Sequence, residues 1–97
     1  MAMHNPPHPG EFIRTVYLEP FGLSARALAE SLAVSPSTLN RVITGKSGIS
    51  PEMALRLSKA LGRSAESWLA MQDHYDLWQA KQNAQLDQVQ QVKFAVA

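Results

Sequence analysis

The sequence predicts an all-α protein, a compact five-helix domain with a C-terminal helical extension. Three observations predict it. Apolar residues recur at steps of three and four through most of the chain, and no stretch alternates with a period of two, so no sheet is expected. Serine stands directly ahead of four apolar runs, at Ser24, Ser35, Ser50 and Ser64, with Pro36 and Pro51 following two of them. These are helix N-caps and first-turn prolines. Gly22, Gly45 and Gly62 fall where runs end, as helix-closing residues do.

The elements follow in order. Residues 1–7 contain Asn5-Pro6-Pro7 and read as an extended N-terminal arm. Pro9 opens a first helix with Glu11 in its first turn, Phe12, Ile13, Val16 and Tyr17 as its apolar face, and Pro20 and Gly22 at its end. Ser24 caps a second helix whose stripe is Leu28 and Leu32 with Ala29 beside them. A third starts at Ser35, carries Leu39, Val42 and Ile43, and ends near Thr44. Ser50-Pro51-Glu52 opens a fourth with Met53, Leu57 and Leu61 inward. Ser64 and Glu66 open a fifth, along which Trp68, Met71, Tyr75 and Trp78 share one face. The helical domain is thus expected over 8–79. Residues 80–97 are glutamine-rich with a sparse Leu86, Val89, Val92 spacing, and read as a sixth helix, a helix ordered by a partner, or a frayed tail.

Bulk properties narrow the function. The chain has 97 residues, 45% of them apolar, which suits one modest core. It has no cysteine, which excludes disulfides and thiolate metal sites. No apolar run is long enough to cross a bilayer and no signal-peptide core follows Met1, so no membrane partner and a cytoplasmic location are expected. The formal net charge of +1 conceals an asymmetry. From Ser24 to Arg63 six basic residues face two acidic ones, a net of +4; from Ser64 onward two face four, a net of −2. A locally basic middle attracts phosphate even in a nearly neutral protein.

The informative stretch is Leu23 to Gly45: a short helix, a turn, and a second short helix, the helix-turn-helix pattern. Ala29 supplies the small residue that a close crossing of the two helices requires. Val34 and Leu39 fill the angle between them, and Val42 holds the third helix to the core. That leaves Ser37, Thr38, Asn40, Arg41 and Thr44 on the opposite side, a face rich in hydrogen-bonding groups. Such a face suits base edges in a DNA major groove. Arg41 is matched to guanine O6 and N7, Asn40 to adenine N6 and N7, and the Thr38 methyl to a thymine methyl, with Ser37 and Thr38 able to bond base or phosphate. Ser24, Arg26, Ser35 and Lys46 are the candidate phosphate contacts, the two serines because they stand at helix N-termini with free amides.

The run Leu23 to Glu30 and Val34 to Gly45 resembles the lambda-repressor-like, or XRE-type, helix-turn-helix. The flanks Asn5 to Glu11, Gly48 to Leu57, Trp68-Leu69 and Tyr75 to Trp78 resemble the HigA/VapI antitoxins, over residues 4 to 80. The resemblance implies a protein that neutralises an mRNA-cleaving toxin of the HigB/RelE type and, as a dimer, represses its own operon. It places DNA contacts at Ser24 to Arg26, Ser35 to Arg41 and Thr44 to Lys46. Two positions depart from the family pattern. Ala25 stands where relatives often carry glutamine, so a phosphate or base contact is expected to be missing, and Ala33 stands where glycine is common, so either a strained L-residue or a slightly different turn is expected there.

Palindromic operators call for a two-fold dimer. Its contact is expected in the fifth helix and beyond, at Trp68, Leu69, Tyr75, Leu77, Trp78 and Leu86. His4, His8 and His74 lack a metal-ligand spacing, no serine has a paired base, and no glycine-rich phosphate loop is present, so no metal, cofactor or enzymatic activity is expected. Two other readings stay open here: a stand-alone regulator with the same DNA chemistry and no toxin, and a protein-interaction module using the polar face of the third helix.

Overall fold

The computed structural model describes residues 5–95. Met1 to His4, most of the expected N-terminal arm, and residues 96 and 97 at the end of the tail lie outside the described residues. Among the described residues the elements are five helices and no strand. The first, α1, spans residues 9–18, an α-helical Pro9–Phe12 running into a π-helical Ile13–Leu18. Then come α2 (Ala25–Leu32), α3 (Pro36–Ile43), α4 (Pro51–Leu61) and α5 (Ala65–Asn83).

Four serines start four of these helices as the sequence suggests. Ser24 Oγ accepts the Ala27 amide at 3.0 Å, and Ser35, Ser50 and Ser64 accept the amides of Thr38, Met53 and Ser67 at 3.1 Å. Each satisfies one of the N–H groups a helix start leaves without an internal partner. The α3 terminus closes with Gly45 at φ 81°, its amide on Val42 O and the Lys46 amide on Arg41 O at 2.8 Å, so the orphan carbonyls are also paired.

The core gathers Ile13 and Leu18 from α1, Leu28, Ala29 and Leu32 from α2, Leu39 and Val42 from α3, Ile49, and Met53, Ala54 and Leu57 from α4, around Trp68 of α5. Trp68 is fully buried, with Phe12 edge-on at 5.9 Å and Tyr17 tilted at 6.2 Å. Its indole Nε1 has no hydrogen-bond partner, a cost its packing has to exceed.

Three details differ from the sequence expectation. Val16 was expected on the inner face of α1 but is 39% exposed, and Leu18 is buried instead. The cause is the π-helical turn: its i→i+5 bond, Glu19 N to Arg14 O, brings Ile13 and Leu18, five apart, to the same side. Helix α5 continues to Asn83, past the expected boundary at 79. Beyond it residues 84–95 form neither a sixth helix nor any other regular element, but an exposed extended segment with one turn.

Gly10 fixes how α1 meets α3. A Cβ at Gly10 would stand 1.9 Å from Val42 O and 2.8 Å from Ile43 Cα, both backbone atoms that cannot move aside alone. Gly10→Ala therefore separates the two helices, and a loss of stability on the order of 3 kcal/mol is expected in denaturant unfolding. Unchanged stability in that variant would contradict the packing.

Candidate nucleic-acid interface

Helix α3 sits on the rest of the molecule by Leu39, fully buried, and Val42, with Ile43 partly buried beside them. Ser37, Asn40, Arg41 and Thr44 stand at i, i+3, i+4 and i+7 on its other side, and all four are exposed. Thr38, Ser24, Arg26, Ser35 and Lys46 are exposed too. The structure thus brings Ser35, Ser37, Thr38, Asn40, Arg41, Thr44 and Lys46 together along one helix and its exit, with Ser24 and Arg26 on the first turn of the neighbouring α2.

The groups divide by whether they are already engaged. Ser24 and Ser35 spend their oxygens on N-caps, and Ser35 Oγ also donates to Thr38 Oγ1 at 2.8 Å. Thr44 Oγ1 donates to Asn40 O at 2.8 Å. Among the described residues no side-chain hydrogen bond or ion pair engages Arg26, Asn40, Arg41 or Lys46. The face therefore presents one guanidinium, one amide and flanking cations with their hydrogen-bonding capacity intact.

The turn between α2 and α3 is Ala33-Val34-Ser35. Ala33 adopts φ 58°, ψ 42°, the left-handed region, with its amide on Glu30 O and the Val34 amide on Ala29 O. An L-residue is disfavoured there by roughly 1–2 kcal/mol. Arg56 of α4 holds this turn: its guanidinium donates to Leu32 O at 2.8 Å and Ala33 O at 3.3 Å, and is itself steered by Glu52 at 2.8 Å. Sequence reasoning passed over Arg56, because its partners lie more than twenty residues away.

Two further residues behind α3 were also missed. His8 is the N-cap of α1: its Nδ1 accepts the Gly10 amide at 2.9 Å, and its ring meets Tyr75 edge-on at 4.9 Å. Gln72 is 6% exposed; its Oε1 accepts the Ile49 amide at 2.8 Å and its Nε2 donates to Asp76 Oδ1. It thereby anchors the loop that leaves α3. The one available signal for Gln72 was its place on the same face as Trp68 and Met71.

The residues expected at a dimer contact divide. Trp68 is corrected: it is enclosed in its own protomer's core, where a domain this small needs its bulk, and no surface of it remains for a partner. Leu69 packs partly against that core, Tyr75 and Trp78 are half-buried, and Leu77 and Leu86 are 53% and 66% exposed.

A basic segment, a short helix pair and a polar outer face on the second member define a helix-turn-helix domain. A family model described as "Helix-turn-helix" matches residues 16–68. Virulence-associated protein I of Dichelobacter nodosus is 51% identical over 78 residues, 80% of this chain and 72% of that one. Antitoxin HigA-1 of Vibrio cholerae is 37% identical, over 78% of this chain and 71% of its own. The chain belongs to the XRE-type helix-turn-helix family, in the group that holds these proteins. Among solved structures, antitoxin GraA superposes with a TM-score of 0.87 at 38% identity, covering 93% of this chain and all of that one. GraA in complex with its operator matches 100% of this chain and 98% of its own at TM-score 0.82 and 37% identity. Pseudomonas aeruginosa antitoxin HigA with the higBA promoter matches 79% and 84%, at 0.76 and 40%.

Two outcomes follow from the local chemistry. Ala33→Gly removes the left-handed penalty but adds unfolded-chain freedom, so a net stabilisation of about 0.5–1 kcal/mol is expected from the shift in denaturant midpoint. Burial pushes the His8 pKa below 6.5; Asp76, Glu11 and a bond to the Ser47 backbone pull it partly back. His8 thus binds its proton more weakly folded than unfolded, so the stability it contributes is whole above about pH 6.5 and declines as pH falls toward its lowered value. His8→Asn keeps a cap acceptor without titrating. Its unfolding free energy should stay flatter than wild type across that window, and parallel profiles would refute the assignment.

Proposed function

We infer that this protein is a sequence-specific DNA-binding antitoxin, not an enzyme, which represses its own operon. The observation that carries the DNA half is the stripe Ser37, Asn40, Arg41, Thr44, exposed above the buried Leu39 and Val42. It is supported by relatives solved with their operator or promoter DNA. Helix α3 enters the major groove. Arg41 reads guanine through O6 and N7, Asn40 reads adenine through N6 and N7, and Thr38 and Ser37 complete the base contacts. The first turns of α2 and α3, with Ser24, Arg26 and Ser35, together with Thr44 and Lys46, hold the phosphates and set the register.

The protein acts as a homodimer on a two-fold operator, with Leu69, Tyr75, Leu77 and Trp78 of α5 and Leu86 at the seam. Its second partner is a HigB/RelE-type toxin, a reading supported by the antitoxin relatives. Among the described residues no helix is long and apolar enough to cross a membrane. A cytoplasmic place of action fits an operator target.

Arg41→Ala should cost about 1–3 kcal/mol of operator affinity and relax the preference at one base pair, read by titrating single-base operator variants. Lys46→Ala should weaken binding to all sequences alike and reduce the slope of log affinity against log salt by about one. If both variants bind the operator as wild type does, the contact assignment is wrong. Rescue of growth on co-expression with the toxin encoded beside it tests the antitoxin half.

A further inference from the structure

Between the end of α2 and the cap of α3 at Ser35 stand only Ala33 and Val34. A change in φ or ψ at Ala33 therefore swings the start of α3 as a body. Ala33 lies in the left-handed region, at φ 58°, where an L-residue is disfavoured. Two backbone bonds close the turn, Ala33 N to Glu30 O at 3.0 Å and Val34 N to Ala29 O at 3.1 Å. Leu32 O and Ala33 O are carbonyls that α2 cannot pair internally. Among the described residues the group that bonds them is the Arg56 guanidinium.

Arg56 stands on α4 among Met53, Ala54 and Leu57, which are buried in the core and fix that helix. Its Nε and Nη2 donate to Glu52 Oε2 at 3.2 and 2.8 Å, which leaves Nη1 aimed at the turn. Nη1 donates to Leu32 O at 2.8 Å and to Ala33 O at 3.3 Å. A fixed helix thus grips the turn through a planar, oriented fork. All three nitrogens are engaged, unlike those of Arg26 and Lys46, so Arg56 is not offered to phosphate.

The far end of α3 is pinned where Gly10 meets Val42 O. Ser37 lies five residues before Val42. That is about 7.5 Å along the axis, so a tilt of about 10° about the pinned end moves Ser37 by about 1.3 Å, beyond the roughly 0.5 Å spread of good hydrogen-bond lengths. Arg41, next to Val42, moves little.

We propose that Arg56 is a positioning residue for DNA reading. Its grip on Leu32 O and Ala33 O sets the angle at which the first turn of α3 meets the bases, and it makes a left-handed alanine tolerable in the turn. The proposal rests on the reading of α3 as the helix in the groove. Arg56 touches no base and acts through the backbone.

The test uses the full chain, a duplex carrying the protein's own promoter, and a scrambled duplex of equal length. Arg56→Met should bind the promoter roughly tenfold more weakly, and the scrambled duplex as wild type does. Its slope of log affinity against log salt should not change. Across single-base promoter variants, the preferences that Thr38→Ala erases should relax, and those that Arg41→Ala erases should remain. Arg56→Lys keeps a donor and should recover part of the loss. Adding Ala33→Gly to Arg56→Met should restore most of it, because glycine adopts the left-handed turn unaided. Circular dichroism and stoichiometric titration confine the comparison to folded, active protein.

Equal losses on both duplexes, with a salt slope lower by about one, would make Arg56 a phosphate contact and overturn the proposal. A variant whose active fraction falls while its affinities hold would reduce the role to stability and overturn it too. So would promoter binding equal to wild type, or no recovery with Ala33→Gly. In each case promoter binding by wild type leaves the DNA-reading role of α3 standing. A wild type that binds promoter and scrambled duplex alike removes that role, and the proposal with it.

Discussion

The placement of the candidate reading helix depends on one close approach, that of the α1 backbone at Gly10 to the C-terminal turn of α3. With no side chain at Gly10, the two backbones meet at a separation that a Cβ would deny by more than an ångström. The constraint propagates both ways. Toward the N-terminus it sets His8 to cap α1 and lie against Tyr75 of α5. Toward the C-terminus it fixes the turn at Gly45, from which Lys46 projects. Because α3 is held from behind at its own last turn, its outer stripe is aimed by backbone contact rather than by flexible side chains.

Helix α3 has eight residues, far fewer than an isolated helix needs to persist in water. Its stability is therefore tertiary. What ties the surrounding elements is a small set of polar side chains directed at backbone groups: Arg56 on the α2 terminus, Gln72 on the Ile49 amide, His8 on the Gly10 amide. Among the described residues two ion pairs, Arg14–Glu19 and Arg56–Glu52, are solvent-facing and worth at most about 1 kcal/mol each as charge pairs. The value of Glu52 lies in steering Arg56 toward carbonyls that would otherwise be unpaired.

What was legible in the sequence, and what was not, follows the range of the forces involved. The serine caps and the closing glycines act within four residues, so their spacing showed where α2 to α5 begin and where α3 and α4 end. The buried and exposed sides of α3 could likewise be read from period alone. The missed features join distant positions: Gly10 with Val42, Arg56 with Leu32, Gln72 with Ile49. None of these leaves a local pattern. The π-helical turn of α1 changed the period itself, so Val16 and Leu18 exchanged roles. Trp68 was ambiguous for another reason. A tryptophan on an apolar stripe serves a core or an interface equally well, and only the arrangement of the neighbouring helices decides between them. At Ala33 the departure from the family pattern left strain or an altered turn open, and the left-handed φ of 58° is the first of these.

The chemistry of the face bears on why the proposed function calls for two copies. Two side chains on α3, Asn40 and Arg41, have the geometry for bidentate base recognition, and each such pair discriminates by about 1–3 kcal/mol. On the proposed contacts one protomer would command roughly 2–6 kcal/mol of sequence preference, overlapping only the lower part of the 4–10 kcal/mol that separates specific from non-specific binding in working repressors. Adding charge to the face would not close the gap, since phosphate contacts strengthen binding to every sequence alike. Repeating the same face does, because two half-sites read together double the discrimination while the spacing between them becomes a further criterion. A modest face of one guanidinium and one amide therefore suits the proposed reading, in which the same face is presented twice to a two-fold operator.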